Sequence, residues 1–235
     1  KFKNKCYPVL IAAANIPELN RMEKSERGFT IGACVSIAKL KEYCELCLKT
    51  EPTYQTRICQ ALLSQLNIFG SQQIRNVATI GGNIVHGSPI STLNPILVAC
   101  DAKLKLINCD SNKEYEMTMR ELFADSKKTD LGQNEILLSV SISFTETNEY
   151  LQSYKQAKRR KLDIPIVSCG FQVKLAETPT PVNDVTNGAR WKIQSICLAF
   201  GSMAPSTIMM VKTQAYLTDK PWCKQTMKDA LKCLL

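Results

Sequence analysis

Residues 73–95, Gln73-Ile-Arg-Asn-Val-Ala-Thr-Ile-Gly-Gly-Asn-Ile-Val-His-Gly-Ser-Pro-Ile-Ser-Thr-Leu-Asn-Pro95, constrain the fold of this chain more than any other stretch. Three glycines, two prolines and several small hydroxyl residues interrupt the apolar ones, so the segment is written neither as a regular strand nor as a regular helix. At Gly81-Gly82-Asn83 the backbone is free to take positive φ and to approach a ligand with no Cβ in the way. Successive N–H groups in such a turn form an anion-binding concavity suited to a pyrophosphate. Thr79, Asn83, Ser88, Ser91 and Thr92 add side-chain donors on the same segment. The same residues also suit a tight turn in a loop-rich linker, and the pattern is neither a G-x-G-x-x-G turn nor a Walker loop.

Around that segment the chain is patterned regularly. Tyr7–Ala14 and Gly28–Val35 read as short buried strands, separated by a charged turn with Arg21, Glu23, Lys24 and Glu26. Ser36 fits a helix N-cap ahead of Ile37, Leu40, Cys44 and Cys47 at helical spacing. A second helix runs through Ile58, Leu62, Leu66 and Phe69, with Gly70 placed to end it in a left-handed conformation. Leu93–Ala99 reads as a short helix with Ser91 or Asn94 near its cap and Pro95 in its first turn. Lys103–Ile107, Tyr115–Met119 and Ile136–Ser143 read as strands, with a turn at Cys109–Asn112 and a brief helix at Arg120–Ala124. A composition shift at Thr145–Glu149 marks a boundary between two lobes, 1–145 and 150–235. The second lobe carries strands near Gln152–Ala157, Val167–Leu175 and Lys192–Ala199, a loop at Thr178–Asp184, and helices at Ser206–Tyr216 and Pro221–Leu234. This is an α+β arrangement, an antiparallel sheet covered by helices on one side.

Charge and cysteine content narrow the function classes. Lys plus Arg number 30 against 21 Asp plus Glu, a net +9 that favours anionic partners: nucleic acid, acidic lipid or a phosphorylated small molecule. Five cations fall within Lys155-Gln-Ala-Lys-Arg-Arg-Lys161, yet no aromatics are interleaved for base stacking, which speaks against nucleic acid and for a solvated edge strand. Eleven cysteines scattered through apolar stretches of a chain this long indicate reduced thiols and a cytoplasmic setting. Cys44 and Cys47 have C-x-x-C spacing, but no second pair or nearby histidine completes a metal site, so they read as ordinary helix cysteines. His86 is the single histidine and reads as a loop residue; no G-x-S-x-G elbow accompanies it. Lys1, Lys3 and Lys5 before Val9–Ala14 imitate a signal peptide, although Pro8 and the following Ile16-Pro-Glu-Leu19 fit a buried strand ending in a turn better. No apolar run approaches the ~20 residues that span a bilayer.

The 73–95 segment closely resembles the flavin-binding domain of the xanthine dehydrogenase and aldehyde oxidase family, the molybdenum hydroxylases. The likeness runs nearly end to end, through Ile16–Asn20, Glu135–Ser139, Tyr154–Ala157 with Arg159-Arg160, Ser168–Gly170 and Gly201–Ala204. Ser88-Pro-Ile-Ser91 within the long glycine motif favours the xanthine dehydrogenase branch. The resemblance implies a two-lobed α+β flavoprotein of the vanillyl-alcohol-oxidase and CO-dehydrogenase type, with FAD held between the lobes. In such an enzyme electrons pass from a molybdenum cofactor through 2Fe-2S clusters to the flavin and on to NAD or oxygen. Those other centres belong to further domains, and the full enzyme is a homodimer without a membrane anchor.

By matched position, Thr79, Ile80, Gly81, Gly82 and Asn83 bind the FAD phosphates, with Ser88, Ser91 and Thr92 beside them. Phe69 and Leu137 give apolar contacts, Lys155 gives a cationic one, and no catalytic residue or metal ligand is implied. Three departures stand out. Thr92 replaces an aspartate, and Lys161 and Leu162 precede Asp163 where the branch usually continues with acids, making the flavin edge more positive. The resemblance also places a strand and a Gly-Asn-Thr loop, the other half of the phosphate cradle, upstream of Lys1-Phe2-Lys3. The chain is therefore expected to be a piece of a longer polypeptide or a truncated product; a cofactor-free remnant and a basic anion- or nucleic-acid-binding module are the competing readings.

Overall fold

The structure is a computed structural model, described for residues 8–9, 11–124, 131–132, 134–178 and 190–234. Its strands are β1 (Met22–Ser25), β2 (Gly28–Gly32), β3 (Lys103–Asn108), β4 (Lys113–Thr118), β5 (Glu135–Ser143), β6 (Glu149–Gln156), β7 (Val167–Glu177), β8 (Trp191–Gly201) and β9 (Ile208–Met209). Its helices are α1 (Ile37–Thr50), α2 (Arg57–Leu66), α3 (Gln72–Val77), α4 (Ile80–His86), α5 (Asn94–Ala99), α6 (Met119–Leu122), α7 (Val211–Leu217) and α8 (Lys224–Leu234). Two antiparallel sheets result, one in the order β1-β2-β5-β3-β4 and one in the order β6-β7-β8-β9.

The first sheet follows from simple alternation. In β3 the lysines 103 and 105 face solvent while Leu104 and Leu106 are fully buried, and in β2 Ile31 sits opposite Val140 of β5. Ser36 caps α1 by accepting from Lys39 N at 3.3 Å, which contributes about 1 kcal/mol. Ile37, Leu40, Cys44 and Cys47 form the buried stripe of α1, and α2 packs Ile58, Leu62 and Leu66 beside it.

The second sheet is sandwiched. Leu151, Cys197 and Ala199 belong to the same core cluster as α1, α2 and α5, whereas Leu175, Ile193, Leu198, Leu217 and Ala230 form a smaller core under α7 and α8. It is therefore covered on both faces, not one, because the first lobe's helices supply the second layer. The connection between the sheets is tied down as well. Arg57 Nη1 donates to the carbonyls of Glu146, Thr147 and Glu149 at 3.2, 2.8 and 2.6 Å, and Thr145 Oγ1 donates to Tyr54 O at 2.6 Å.

Several expectations are corrected. The described residues between Pro8 and Ala14 form no strand: Val9 and Ile11 are exposed, Ala13–Asn15 is a single-turn helix, and β2 pairs with β1 and β5 instead. The charged stretch from Arg21 is mostly β1, an edge strand whose polar side chains suit its open side. Of the basic run only Lys155 lies on an edge strand, β6, and residues 157–163 form a turn in which Leu162 takes φ +53°. The helix expected over Ser206–Tyr216 is split, its first part being β9. All but the first residue of the Thr178–Asp184 loop lies outside the described residues. The α+β class, α1, α2, α5, α6 and the strands β3 to β8 match their expected positions within a few residues. Among the described residues no helix is long and apolar enough to cross a membrane.

Candidate functional site

The glycine segment is helical, contrary to its composition. Arg75 and its neighbours form α3, and Ile80–His86 form α4, capped by Thr79, whose Oγ1 accepts from Gly82 N at 3.0 Å. Gly81 and Gly82 do not take positive φ; among the described glycines only Gly70 and Gly87 do, Gly87 as the left-handed cap that stops α4. Tertiary hydrogen bonds override the weak helix propensity of the Gly-Gly pair. Ile80 N donates to Val35 O at 3.1 Å and Gly81 N to Ala33 O at 2.9 Å, while Asn83 N reaches back to Thr79 O at 3.1 Å. The four amides that begin α4 are thus all satisfied inside the chain, so the expected concavity of free N–H groups is not formed.

What the turn of α4 offers instead is an uncovered patch with side-chain donors. A Cβ at Gly82 would meet only Thr79 Oγ1, at 3.0 Å, and otherwise open space. Thr79 Oγ1 accepts from Gly82 N and keeps its own hydrogen to donate. Asn83, half-buried one residue on, carries an amide with a second hydrogen. Gly81 serves a different purpose: a Cβ there would lie 2.6 Å from Ala33 O and 2.7 Å from Ala33 Cβ, so its smallness allows α4 to sit against the end of β2.

Behind this patch the rest of the segment is locked to the second sheet. Ser91 Oγ donates to Asn83 Oδ1 at 3.0 Å, Asn83 Nδ2 donates to Asn94 Oδ1 at 2.7 Å, and Ser168 Oγ of β7 donates to Ser91 O at 3.0 Å. Ser91 and Thr92 are buried, and Ser88 is half-buried in the turn before them, its carbonyl accepting from Ser91 N at 3.0 Å. Ser202 N of the β8–β9 connection donates to Pro89 O at 2.7 Å. Asn94, with no exposed surface, is a member of this network that sequence reasoning treated only as a cap. Its one sequence signal is an amide residue opening the otherwise apolar run Asn94-Pro-Ile-Leu-Val-Ala99.

The remaining predicted residues lie elsewhere. Leu137 is a buried core residue of β5 paired with Leu106 and offers a ligand little surface, whereas Phe69 packs half-buried against the same core. Lys155 donates to Asp163 O at 2.6 Å; burial pushes its ammonium down from the ordinary value, opposed by the Asp163 charge. His86 ends α4 and is exposed. Cys44 and Cys47 are buried; a hydrogen bond with Cys59, then burial, raises Cys44, and burial, then the neighbouring Cys59, raises Cys47. All ten described cysteines are unpaired, and among the described residues no group of His, Cys, Asp and Glu is arranged to hold a metal ion.

A groove of about 850 Å³ also opens on the α7–α8 face of the second sheet, lined by Tyr154, Phe171, Trp191, Phe200 and Trp222. Its lining is apolar and holds no predicted site residue, so it does not suit a phosphate.

Comparisons with known proteins identify the family. Residues 1–144 match the family described as FAD binding domain in molybdopterin dehydrogenase, and residues 152–235 match the CO dehydrogenase flavoprotein C-terminal domain. A xanthine dehydrogenase/oxidase of Gallus gallus is 38% identical over 234 residues, 100% of this chain and 16% of that protein. Xanthine dehydrogenase 2 of Arabidopsis thaliana is 37% identical over 234 residues, 100% of this chain and 17% of that protein. The chain therefore spans about a sixth of these relatives. Among solved structures, a carbon monoxide dehydrogenase from Hydrogenophaga pseudoflava superposes with TM-score 0.72 at 20% identity, covering 93% of this chain and 67% of that one. Quinoline 2-oxidoreductase from Pseudomonas putida 86 superposes with TM-score 0.68 at 18% identity over the same shares, and both likenesses concern the fold.

Proposed function

Because the chain belongs to the family of FAD binding domains in molybdopterin dehydrogenase, we propose that Thr79, Gly82 and Asn83 hold the anionic diphosphate of FAD. The observation that carries this reading is the uncovered Gly82 backbone between the Thr79 hydroxyl and the Asn83 amide. These are neutral donors on a net-basic chain, the chemistry a diphosphate requires. When bound, the flavin supplies electron transfer. The chain's own residues bind and orient it: α4 presents the donors, the Ser91–Asn83–Asn94 bonds hold them still, and Lys155 places a cation on β6. Ser91 and Thr92, both buried, act from behind as the packed support of the site, while Phe69 and Leu137 lie outside the patch.

In the whole protein this segment relays electrons between iron-sulfur and molybdenum domains and an acceptor, NAD or oxygen, in a cytoplasmic homodimer. Titrating the purified chain with FAD, followed by flavin fluorescence and calorimetry, tests the reading. Saturable one-to-one binding is expected. Absence of binding to this chain and to the same chain in its full-length protein would refute it.

A further inference from the structure

The hydrogen bonds around Asn83 determine which way its amide points. The Ser91 hydroxyl accepts from two backbone amides, Leu93 N at 3.3 Å and Asn94 N at 3.1 Å, which occupy both of its lone pairs. Its single hydrogen must therefore go to an acceptor, and the partner is Asn83 Oδ1 at 3.0 Å. With Oδ1 assigned, Asn83 Nδ2 faces Asn94, whose Oδ1 accepts at 2.7 Å. Asn94 Nδ2 then lies 3.5 Å from Asn83 O, a long second contact to the same residue. Each bond in this chain sets a donor against an acceptor, and a flip of either amide would set like atoms against each other. Asn94 is completely buried, so no water replaces it if it is lost. The second Nδ2 hydrogen of Asn83 takes no partner among the described residues.

We propose that Asn94 is a positioning residue of the flavin site, fixing the Asn83 amide so that it offers an N–H donor rather than a carbonyl oxygen to the cofactor's diphosphate. This rests on the functional reading above and adds a residue to it. Without Asn94 the amide of Asn83 is held by the Ser91 hydroxyl alone, its Nδ2 loses the acceptor that completes the lock, and the orientation that sets an oxygen against a phosphate oxygen gains population.

A double-substitution cycle on the full chain tests the proposal, using FAD as the probe. Asn83→Ala and Asn94→Leu are each expected to weaken FAD binding by about tenfold, the scale of one hydrogen bond to a charged group. The double variant is expected to bind no more weakly than either single one, because both act through the same amide. A second readout needs no flavin. In 15N spectra one Asn83 side-chain proton should exchange slowly, and that protection should vanish in Asn94→Leu. If the leucine variant does not fold, Asn94→Ser, too short to reach Nδ2, takes its place.

Unchanged FAD affinity in Asn94→Leu, losses that multiply in the double variant, or unaltered exchange at Asn83 would each overturn the proposal while leaving the flavin reading intact. A wild-type chain that does not bind FAD, alone or in its full-length protein, would overturn both.

Discussion

The adjacent glycines of α4 should separate folding from ligand binding. At Gly81 a Cβ would lie 2.6, 2.7 and 3.0 Å from the O, Cβ and Cα of Ala33, whereas carbon contacts settle at ~3.5–4.0 Å. Gly81→Ala must therefore open the α4–β2 junction by about 1 Å and stretch the 2.9 Å bond from Gly81 N to Ala33 O. Overpacking of this kind costs ~1–3 kcal/mol, and the lost bond about 1 more, against roughly 1 regained in helix propensity. With ~2–4 °C of melting temperature per kcal/mol in a chain of this size, the expected loss is roughly 3–10 °C. At Gly82 the first added carbon meets only Thr79 Oγ1, and valine and glycine are similarly poor helix formers, so Gly82→Val should melt within ~2 °C of the parent. Its branched side chain nevertheless covers the backbone between Thr79 and Asn83, and FAD affinity should fall at least about tenfold, one lost charge-assisted hydrogen bond. Thermal melts by circular dichroism and FAD titrations on the same preparations give both numbers. A Gly81→Ala chain as stable as the parent would refute the packing argument, and a Gly82→Val chain that saturates at the same FAD concentration would refute the site.

Three other outcomes follow from the same geometry. At Gly170 a Cβ would run into the Pro95 carbonyl and lie 2.7 Å from Ile96 Cα, so Gly170→Ala should unseat α5 from β7 at a loss of ~3 kcal/mol; soluble protein with an unaltered melt would show that α5 is not held there. Glu121 closes a capping box with Thr118, whose backbone N–H and hydroxyl hold its carboxyl below the usual value. A depressed folded pKa gives stability that is present above the unfolded value and lost as pH falls through the folded one, so Glu121→Gln should flatten the acid limb of a pH-dependent melt series; an unchanged limb would count against it. Limited alkylation near neutral pH should label Cys223, lowered by the Thr226 hydroxyl, well before Cys169 and Cys100, which burial pushes to about 11 and about 12. Peptide mass spectrometry showing Cys100 modified alongside Cys223 would contradict that order.

The readable parts of this sequence are those where local chemistry and tertiary structure agree. Lys103-Leu-Lys-Leu106 alternates as a half-buried strand must, and Ser36 ahead of Ile37 and Leu40 states a capped amphipathic helix in a few residues. The apolar run ending at Ala14 misled because hydrophobicity alone does not make a strand: Val9 and Ile11 are exposed and join neither the core nor a sheet edge. The glycine segment misled in the opposite sense. Its composition argues against a helix, yet the carbonyls of Ala33 and Val35 satisfy the first amides of α4, and those residues lie 45 or more positions away in the chain.

The site shows the same division between residue type and residue partner. Hydroxyls, an amide and paired glycines at 79–83 suggest an anion site from the sequence, but do not tell which atoms remain free once the chain has folded. The structure changes which groups are free: the backbone amides that open α4 are consumed internally, and the Thr79 hydroxyl and the Asn83 amide are left with hydrogens to donate. It also divides a glycine pair that looked like one feature. Gly81 is small because Ala33 leaves no room, a folding requirement, whereas Gly82 is small where space is open, and nothing in the packing of this chain demands it. A glycine that the packing leaves uncovered, set between two side-chain donors, is what the proposed diphosphate site would require.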